Sequence, residues 1–396
     1  MTEEVPAFNI IEVHALTKVF NHEIRAVDGV TFNVGKGEIL GFLGPNGAGK
    51  TTTLNMLSTL LKPTSGNATV NGHRIDEEPD EVRRSVGYVF QDPTLDIELT
   101  GRENLDFHGR LYHLNRTLRR QRIEEMLDIV QLQERADDLV KTYSGGMKRR
   151  LEIARGLLHH PEVLFLDEPT LGLDPQTRRS IWEHIHYLNQ EKEVTIILTT
   201  HYTEEADYLC GRILIIDFGK IVALDTPQAL KAQLKGDVVS LTFESAAMIP
   251  RIHPLLEKKN WIRRINAVSN TTNQSSIGNM MHTNQPTAGS PGIRNDPHRT
   301  KSATSTVKQT NMTNHPPTAK QLNLLVDDGG HRIPNIVKLA DEAAVVLESV
   351  ELHKPTLDDV FISATGRNLR DQRGSFMDMI RRHRIMRQAR GRPTPG

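Results

Sequence analysis

Cysteine is almost missing from this sequence: Cys210 stands alone among 396 residues. That excludes an intramolecular disulfide and fits a reducing compartment. Net charge is missing too, because 49 lysines and arginines offset 49 aspartates and glutamates. The overall balance therefore gives no argument for a nucleic-acid partner, and any charge effect has to be local. Long apolar runs are absent as well, and none approaches the roughly 20 residues that a membrane-spanning helix needs. The stretch MTEEVPAFNI is acidic where a signal peptide would be basic, so the chain is expected on the cytosolic side. What is present is ordinary globular material, 37% hydrophobic and 25% charged, long enough for two or three domains.

Between residues 10 and 43, short β-branched segments (IIEVHAL, AVDGVTFNV, GEILGFL) alternate with Asn, Asp and Gly turns, which predicts strands. The last of them runs into a glycine loop, and TTTLNMLSTLL then places Leu54, Leu57, Leu60 and Leu61 at helical spacing. From about Leu95 to Val140 the text is charged and leucine-periodic, the pattern of a mostly helical insert in an α/β body, and the helical subdomain is expected over about 95–160. EVLFLDEP, EVTIILTTH and GRILIIDFGKIVAL follow, with the lengths and flanks of buried, partly parallel strands. The body is expected to span residues 1–235. A small α+β domain is expected over 236–366, interrupted at 267–321 by an Asn, Thr and Ser-rich insertion with no leucine and no aromatic residue. Such a segment buries too little apolar surface to offset its ordering entropy, so it reads as disordered. Its sequons at Asn270, Asn273 and Asn311 carry no weight without a secretory route.

The glycine loop is Gly44-Pro45-Asn46-Gly47-Ala48-Gly49-Lys50-Thr51-Thr52. Its glycines let backbone amides turn toward phosphate oxygens, Lys50 reaches the β and γ phosphates, and Thr51 offers a hydroxyl to Mg²⁺. Downstream, VLFLDE ends an apolar strand in two carboxylates. Asp167 is placed to hold Mg²⁺ and Glu168 to polarise an attacking water. His201 and Gln91 each follow a further apolar strand, where a histidine could meet the γ phosphate and a glutamine could meet both Mg²⁺ and water. Neither is specific alone; their common location at strand ends is what counts. A second glycine turn, YSGGMKRRLEIAR, opens a helix with Ser144, Gly145 and Gly146. It has the amides of a phosphate site but no second metal-binding carboxylate, and so reads as half a site that a second copy would complete head to tail.

The order of these motifs resembles the nucleotide-binding subunits of ATP-binding-cassette (ABC) transporters over roughly residues 8 to 235. The resemblance implies a P-loop ATPase fold of ABC type. It makes residues 44–52 the Walker A loop, Gln91 the Q-loop, Ser144 to Met147 the signature, and Asp167 and Glu168 Walker B. Asp174 falls in the D-loop and His201 becomes the switch histidine, while Phe20 stacks on adenine where the family often has tyrosine. It further implies ATP sandwiched between two subunits, a separate integral membrane permease, and a peripheral place at the cytoplasmic face of the membrane. LTGRENLDFHGRLYHL, SGGMKRRLEIARGLL and KPTLDDVFISATGR look more narrowly like the daunorubicin/doxorubicin-resistance type of subunit, which drives export. Met147 and Lys148 depart from the glutamines of many signatures, and the insertion lies outside the pattern.

The rival class is a soluble ABC ATPase acting on nucleic acid or the ribosome. The absence of sustained heptads between the two glycine motifs, and of a second P-loop, disfavours it. A regulatory cassette with little hydrolysis is disfavoured by the presence of both carboxylates and His201. From Arg367 to Gly396 nine arginines face two aspartates, with Phe376, Met379 and Ile380 as a small apolar cluster. This tail reads either as a solvated, disordered segment or as a basic amphipathic one that meets anionic lipid or the permease.

Overall fold

The computed structural model describes residues 9–268 except 22, together with 320–366 and 369. Two sheets share the first half of the chain. β1 (Asn9–Phe20) and β2 (Ile24–Gly35) pair antiparallel, with Val13 opposite Phe32 and Phe20 opposite Ile24. Along β2, Val30, Phe32 and Val34 are buried while Thr31 and Asn33 are exposed, the alternation of a strand with one wet face. β3 (Ile39–Leu43) is buried at every position and delivers the glycine loop into α1 (Lys50–Leu57). β4 (Ser65–Val70) and β5 (His73–Arg74) complete the first sheet in the order β2-β1-β4-β5.

The helix expected through Leu61 stops earlier. Ser58 caps it, Thr59 adopts a left-handed backbone with φ 63°, and Leu60 is exposed. Leu61 turns back to donate its amide to Asn55 O. The leucine spacing thus outran the helix because an abrupt turn preserved the apolar register without the helical backbone.

After α2 (Pro79–Ser85) and β6 (Val86–Val89) comes the helical insert. α3 (Gly101–Leu111) starts on a capping box of Thr100 and Glu103, α4 (Arg116–Ile129) on Asn115, and α5 (Gly145–Leu157) on Ser144. β7 (Val163–Asp167), α6 (Pro175–Lys192), β8 (Thr195–Thr200), α7 (Thr203–Leu209), β9 (Arg212–Asp217), β10 (Lys220–Asp225) and α8 (Pro227–Gln233) follow. The second sheet runs β10-β9-β3-β8-β7-β6, parallel except for the β10 edge. Its register sets Leu43 opposite Thr200, Asp167 opposite Thr199 and Val89 opposite Leu166. The carboxyl ends of four strands therefore finish at one level, where ligands of open α/β sheets gather. Cys210 is part of the packing: a Cβ on Gly41 would come within 2.5 Å of its sulfur, and burial pushes the thiol well above its ordinary value.

The C-terminal unit is a split βαβ arrangement. β11 (Asp237–Phe243), α9 (Ile249–Glu257), β12 (Ile262–Val268), β13 (Gln321–Val326), α10 (Gly329–Glu342) and β14 (Leu347–His353) form an antiparallel sheet in the order β12-β13-β11-β14. Its core of Val239, Leu241, Phe243, Ile252, Leu324 and Ile336 is separate from the others. Val268 and Gln321 are register partners, so most of the polar insertion joins two paired strands. Residues 269–319 of that insertion, with the three sequons, lie outside the described residues, as does the basic tail beyond 366 apart from Leu369. The last helix, α11 (Leu357–Thr365), returns to the first half: Leu357, Val360 and Phe361 belong to the core that holds β7, β8 and α7. Each such burial is worth about 1.5–3 kcal/mol as an upper estimate.

Among the described residues no helix is long and apolar enough to cross a membrane.

Candidate nucleotide-binding site

The loop after β3 wraps around the ammonium of Lys50, which donates to Gly44 O at 2.7 Å and Pro45 O at 3.2 Å. Gly49 has φ 108°, and a Cβ there would meet Ala26 O at 2.5 Å. Only glycine fits both the backbone conformation and the close approach. Lys50 is 5% exposed. Burial pushes its charged form toward neutrality, while Glu168 and Asp167 pull the other way; the net direction is downward.

Asp167 closes β7 and receives two hydroxyls on Oδ1, from Thr51 at 2.9 Å and Thr199 at 2.5 Å. Burial raises its pKa despite these donors, and the neighbouring charge of Glu168 adds to the rise. Glu168 sits in a left-handed backbone conformation with φ 46°, a costly state for a non-glycine residue that its surroundings must hold. Its amide is held twice, by Thr199 O at 3.2 Å and Thr199 Oγ1 at 3.0 Å. Its side chain is 8% exposed, with Lys50 Nζ 3.5 Å from Oε1 and His201 Nδ1 3.0 Å from Oε2. The histidine contact is close but not an aligned hydrogen bond. Burial opposes ionisation of Glu168, but His201 and Lys50 together outweigh it and hold the carboxyl below its ordinary value.

Lys50 and Glu168 face a cleft of about 350 Å³ lined also by Phe20, Asn46, Gln91 and Asp217, among others, while Asp167 and His201 lie outside its lining and adjoin it through Thr51 and Glu168. Pro45, Gly47, Ala48, Gly49, Thr51 and Thr52 form its floor. Phe20 stands at its rim, 37% exposed at the end of β1, and Gln91 is exposed where β6 runs out. Ser144, Gly145 and Gly146 are not in the cleft. Ser144 and Gly145 lie exposed at the start of α5, where Ser144 accepts from Met147 N at 3.2 Å. Gly146 packs so tightly that a Cβ would come within 2.5 Å of Thr177 Cγ2. Asp174 caps α6 through Gln176 N and Thr177 N.

Three residues that motif reading passed over organise the site. Thr199 holds both Asp167 and Glu168, yet in ILTTH it reads as one more β-branched strand residue. Arg149 looks like surface charge in KRRLEIAR but is buried. It donates to Pro169 O at 2.7 Å, Phe90 O at 2.6 Å and Asp167 O at 3.0 Å, and pairs with Glu152 at 2.9 Å. It thereby ties the start of the Gln91 turn to the Asp167–Glu168 strand end. Glu205 is fully buried and accepts from Thr170 Oγ1 at 2.7 Å and Trp182 Nε1 at 2.9 Å. Only the helical period of α5 hinted at Arg149, since it lies one turn before the buried Ile153 on the same face.

A strand–loop–helix cradle for phosphate beside a strand-end carboxylate pair defines a P-loop nucleotide-binding protein. The sequence model of the family described as ABC transporter matches residues 27–171. The chain is 46% identical over 236 residues to the daunorubicin/doxorubicin resistance ATP-binding protein DrrA of Streptomyces peucetius, covering 60% of this chain and 71% of that one. It is 36% identical over 349 residues to the linearmycin resistance ATP-binding protein LnrL of Bacillus subtilis, covering 87% and 95%. Among solved structures it is similar to CbiO1 of Clostridium perfringens, part of an ABC transporter complex, with TM-score 0.54, 28% identity, and 63% and 99% coverage. It is also similar to a dimeric bacterial ABC transporter cassette, with TM-score 0.50, 30% identity, and 55% and 98% coverage. The chain belongs to the ABC transporter family, as one of its ATP-binding, ATP-hydrolysing subunits.

Proposed function

We propose that this subunit powers export through a separate membrane permease, hydrolysing ATP between two copies of itself. The observation that carries the reading is the division of the site: Lys50, Thr51 and Glu168 line one cleft, backed by His201 against Glu168 and Asp167 against Thr51, while Ser144 and Gly145 stand exposed outside it. The drug-resistance roles in the names of DrrA and LnrL support a drug or lipid-like cargo.

In this reading the amides of residues 47–51 and the Lys50 ammonium hold the β and γ phosphates, and Phe20 stacks on adenine. The oxygen-rich set of the Thr51 hydroxyl, the Asp167 carboxylate and the Gln91 amide suits Mg²⁺, which prefers hard oxygen ligands. Bound there, the ion would neutralise charge developing on the phosphates. Glu168, held ionised by Lys50 and His201, takes the proton of the attacking water. His201 donates toward the γ phosphate, and Ser144 with the α5 amides covers that phosphate from the second copy. The chain divides in this reading into an ATPase domain at 1–235 with its helical subdomain at about 95–160, a C-terminal domain at 236–366 broken by 267–321, and a tail at 367–396.

α3 and its C-cap present Phe107, Leu111 and Tyr112 to solvent, and the i, i+4 pair Phe107 and Leu111 shares one face. We assign this patch and the Gln91 turn to the permease contact. The test is affinity capture of the full chain from detergent-solubilised membranes of its native host. One polytopic membrane protein should co-purify, and a Phe107→Asp, Leu111→Asp double variant that still binds ATP should lose it. Capture of ribosomes or nucleic acid in its place would sink the transport reading.

A further inference from the structure

The motif KPTLDDVFISATG near the chain's end is unused by the nucleotide site, yet it folds into a helix that touches both halves of the molecule. α11 is set by a capping box in which Thr356 N donates to Asp359 Oδ2 at 2.9 Å and Asp359 N to Thr356 Oγ1 at 3.3 Å. Its apolar side is embedded in the ATPase core through Leu357, Val360 and Phe361, so it cannot shift without moving what it packs on.

Its two adjacent aspartates point to different partners. Asp359, 7% exposed, accepts from Asn323 Nδ2 of β13 at 3.3 Å, on the C-terminal sheet. Asn323 in turn accepts from Ser240 Oγ of β11 at 2.9 Å. Asp358 accepts from Thr203 Oγ1 at 2.9 Å, in the ATPase half. Thr203 is the first residue of α7 and stands two positions beyond His201. That position matters because the preceding Tyr202 gives α7 no side-chain cap, and Thr203 is 9% exposed. A helix start without a local cap takes its position from whatever else fixes it. Beside the local hold of Thr200 Oγ1 on Tyr202 N at 2.9 Å, the side chain that fixes Thr203 itself comes from 155 residues further along the chain.

We propose that Asp358 is a positioning residue for hydrolysis: through Thr203 it sets the start of α7, and with it the place of His201 against Glu168. Through Asp359 and Asn323 the same helix carries the state of the C-terminal sheet to that switch. The sheet is thus a lever on the hydrolysis step and not on nucleotide capture, since Lys50 and the glycine loop stand on β3 and α1. This rests on the reading of His201 as the group that meets the γ phosphate.

The test uses the purified full chain, with phosphate release for kcat and a fluorescent ATP analogue for affinity. Asp358→Ala and Thr203→Val should each lower kcat about tenfold with affinity changed less than about twofold, a split that general unfolding would not produce. The double variant should be no worse than either single one, and Thr203→Ser should restore wild-type kcat. Asn323→Leu should cost about threefold in kcat by the same route. Wild-type kcat in Asp358→Ala and Thr203→Val, losses that multiply in the double variant, or an Asn323→Leu variant at wild-type rate would each overturn the proposal. Thr203→Val keeps the shape of α7 and leaves α11 untouched, so its result stands even if Asp358→Ala fails to fold. His201→Ala separates the two layers: full activity there removes the His201 reading itself, whereas an inactive His201→Ala with unaffected Thr203→Val removes only the lever.

Discussion

The Walker cleft and the start of α5 contain the same element, backbone amides at a helix N-terminus behind a glycine turn, in opposite settings. In the cleft, Lys50 and Glu168 are 5% and 8% exposed and 3.5 Å apart, and Glu168 also lies 3.0 Å from His201. At α5, Ser144 and Gly145 are exposed, and the serine hydroxyl caps its own helix. The difference is one of burial: the groups we propose to act on water and phosphate are already enclosed and held in place within one chain. In the proposed reading, the α5 amides that cover the phosphate gain such enclosure only from a second copy.

The largest expected effect breaks the preorganised side. Glu168→Gln keeps shape and hydrogen bonding but removes the proton acceptor, so kcat should fall at least about 100-fold while ATP still binds. Size-exclusion chromatography with ATP should then show a long-lived dimer. Turnover near the wild-type rate would show that another group accepts the proton.

The next effect tests the exposed side. Ser144→Arg should abolish hydrolysis by the pure variant while leaving ATP affinity of the isolated chain within about threefold, because the serine lies outside its own cleft. Mixed one to one with Lys50→Ala, it should recover up to roughly a quarter of wild-type turnover, since half the dimers then hold one intact composite site. Mixtures as dead as either parent would overturn the head-to-tail arrangement.

How far the two sides were legible differs for a physical reason. The P-loop announces itself within nine residues because strand, turn and helix start must be contiguous to cradle phosphate. The parallel sheet was legible from all-buried runs such as VLFLD. Helix α1 was overextended because Leu60 keeps the spacing after Thr59 has left the helical backbone. Thr199, Arg149 and the Thr203–Asp358 pair were illegible, since each acts through partners distant in sequence and carries no local signature. The split βαβ topology was hidden for a related reason: the polar insertion separates β12 from β13, two strands that a short turn would have announced as a hairpin.

A smaller effect sharpens the preorganised side from beneath. Thr199→Val removes one of two hydroxyls on Asp167 and one of two acceptors for the Glu168 amide. Losing a hydrogen bond to a buried charge costs about 1.5 kcal/mol, so kcat should fall about tenfold. Thr199→Ser should restore it. Equal activity of the Val and wild-type chains would mean that Thr51 alone positions Asp167.

Phe20 should show the smallest effect, and its size follows from where it sits. It belongs to the cleft by lining but to the exposed side by setting, with 37% of its surface open and the Lys18 ammonium 5.2 Å from its ring centre. A base stacked on such a ring gains about 1 kcal/mol, so Phe20→Ala should raise the KM for ATP about fivefold. The reacting groups stand on β7 and β8, away from β1, and kcat should therefore hold. Phe20→Tyr should behave as wild type, because the π face is what stacking uses. Steady-state kinetics at several ATP concentrations separates the two constants: a fall in kcat with unchanged KM would place Phe20 among the groups that position the phosphates, and would move the boundary between the two sides of the site.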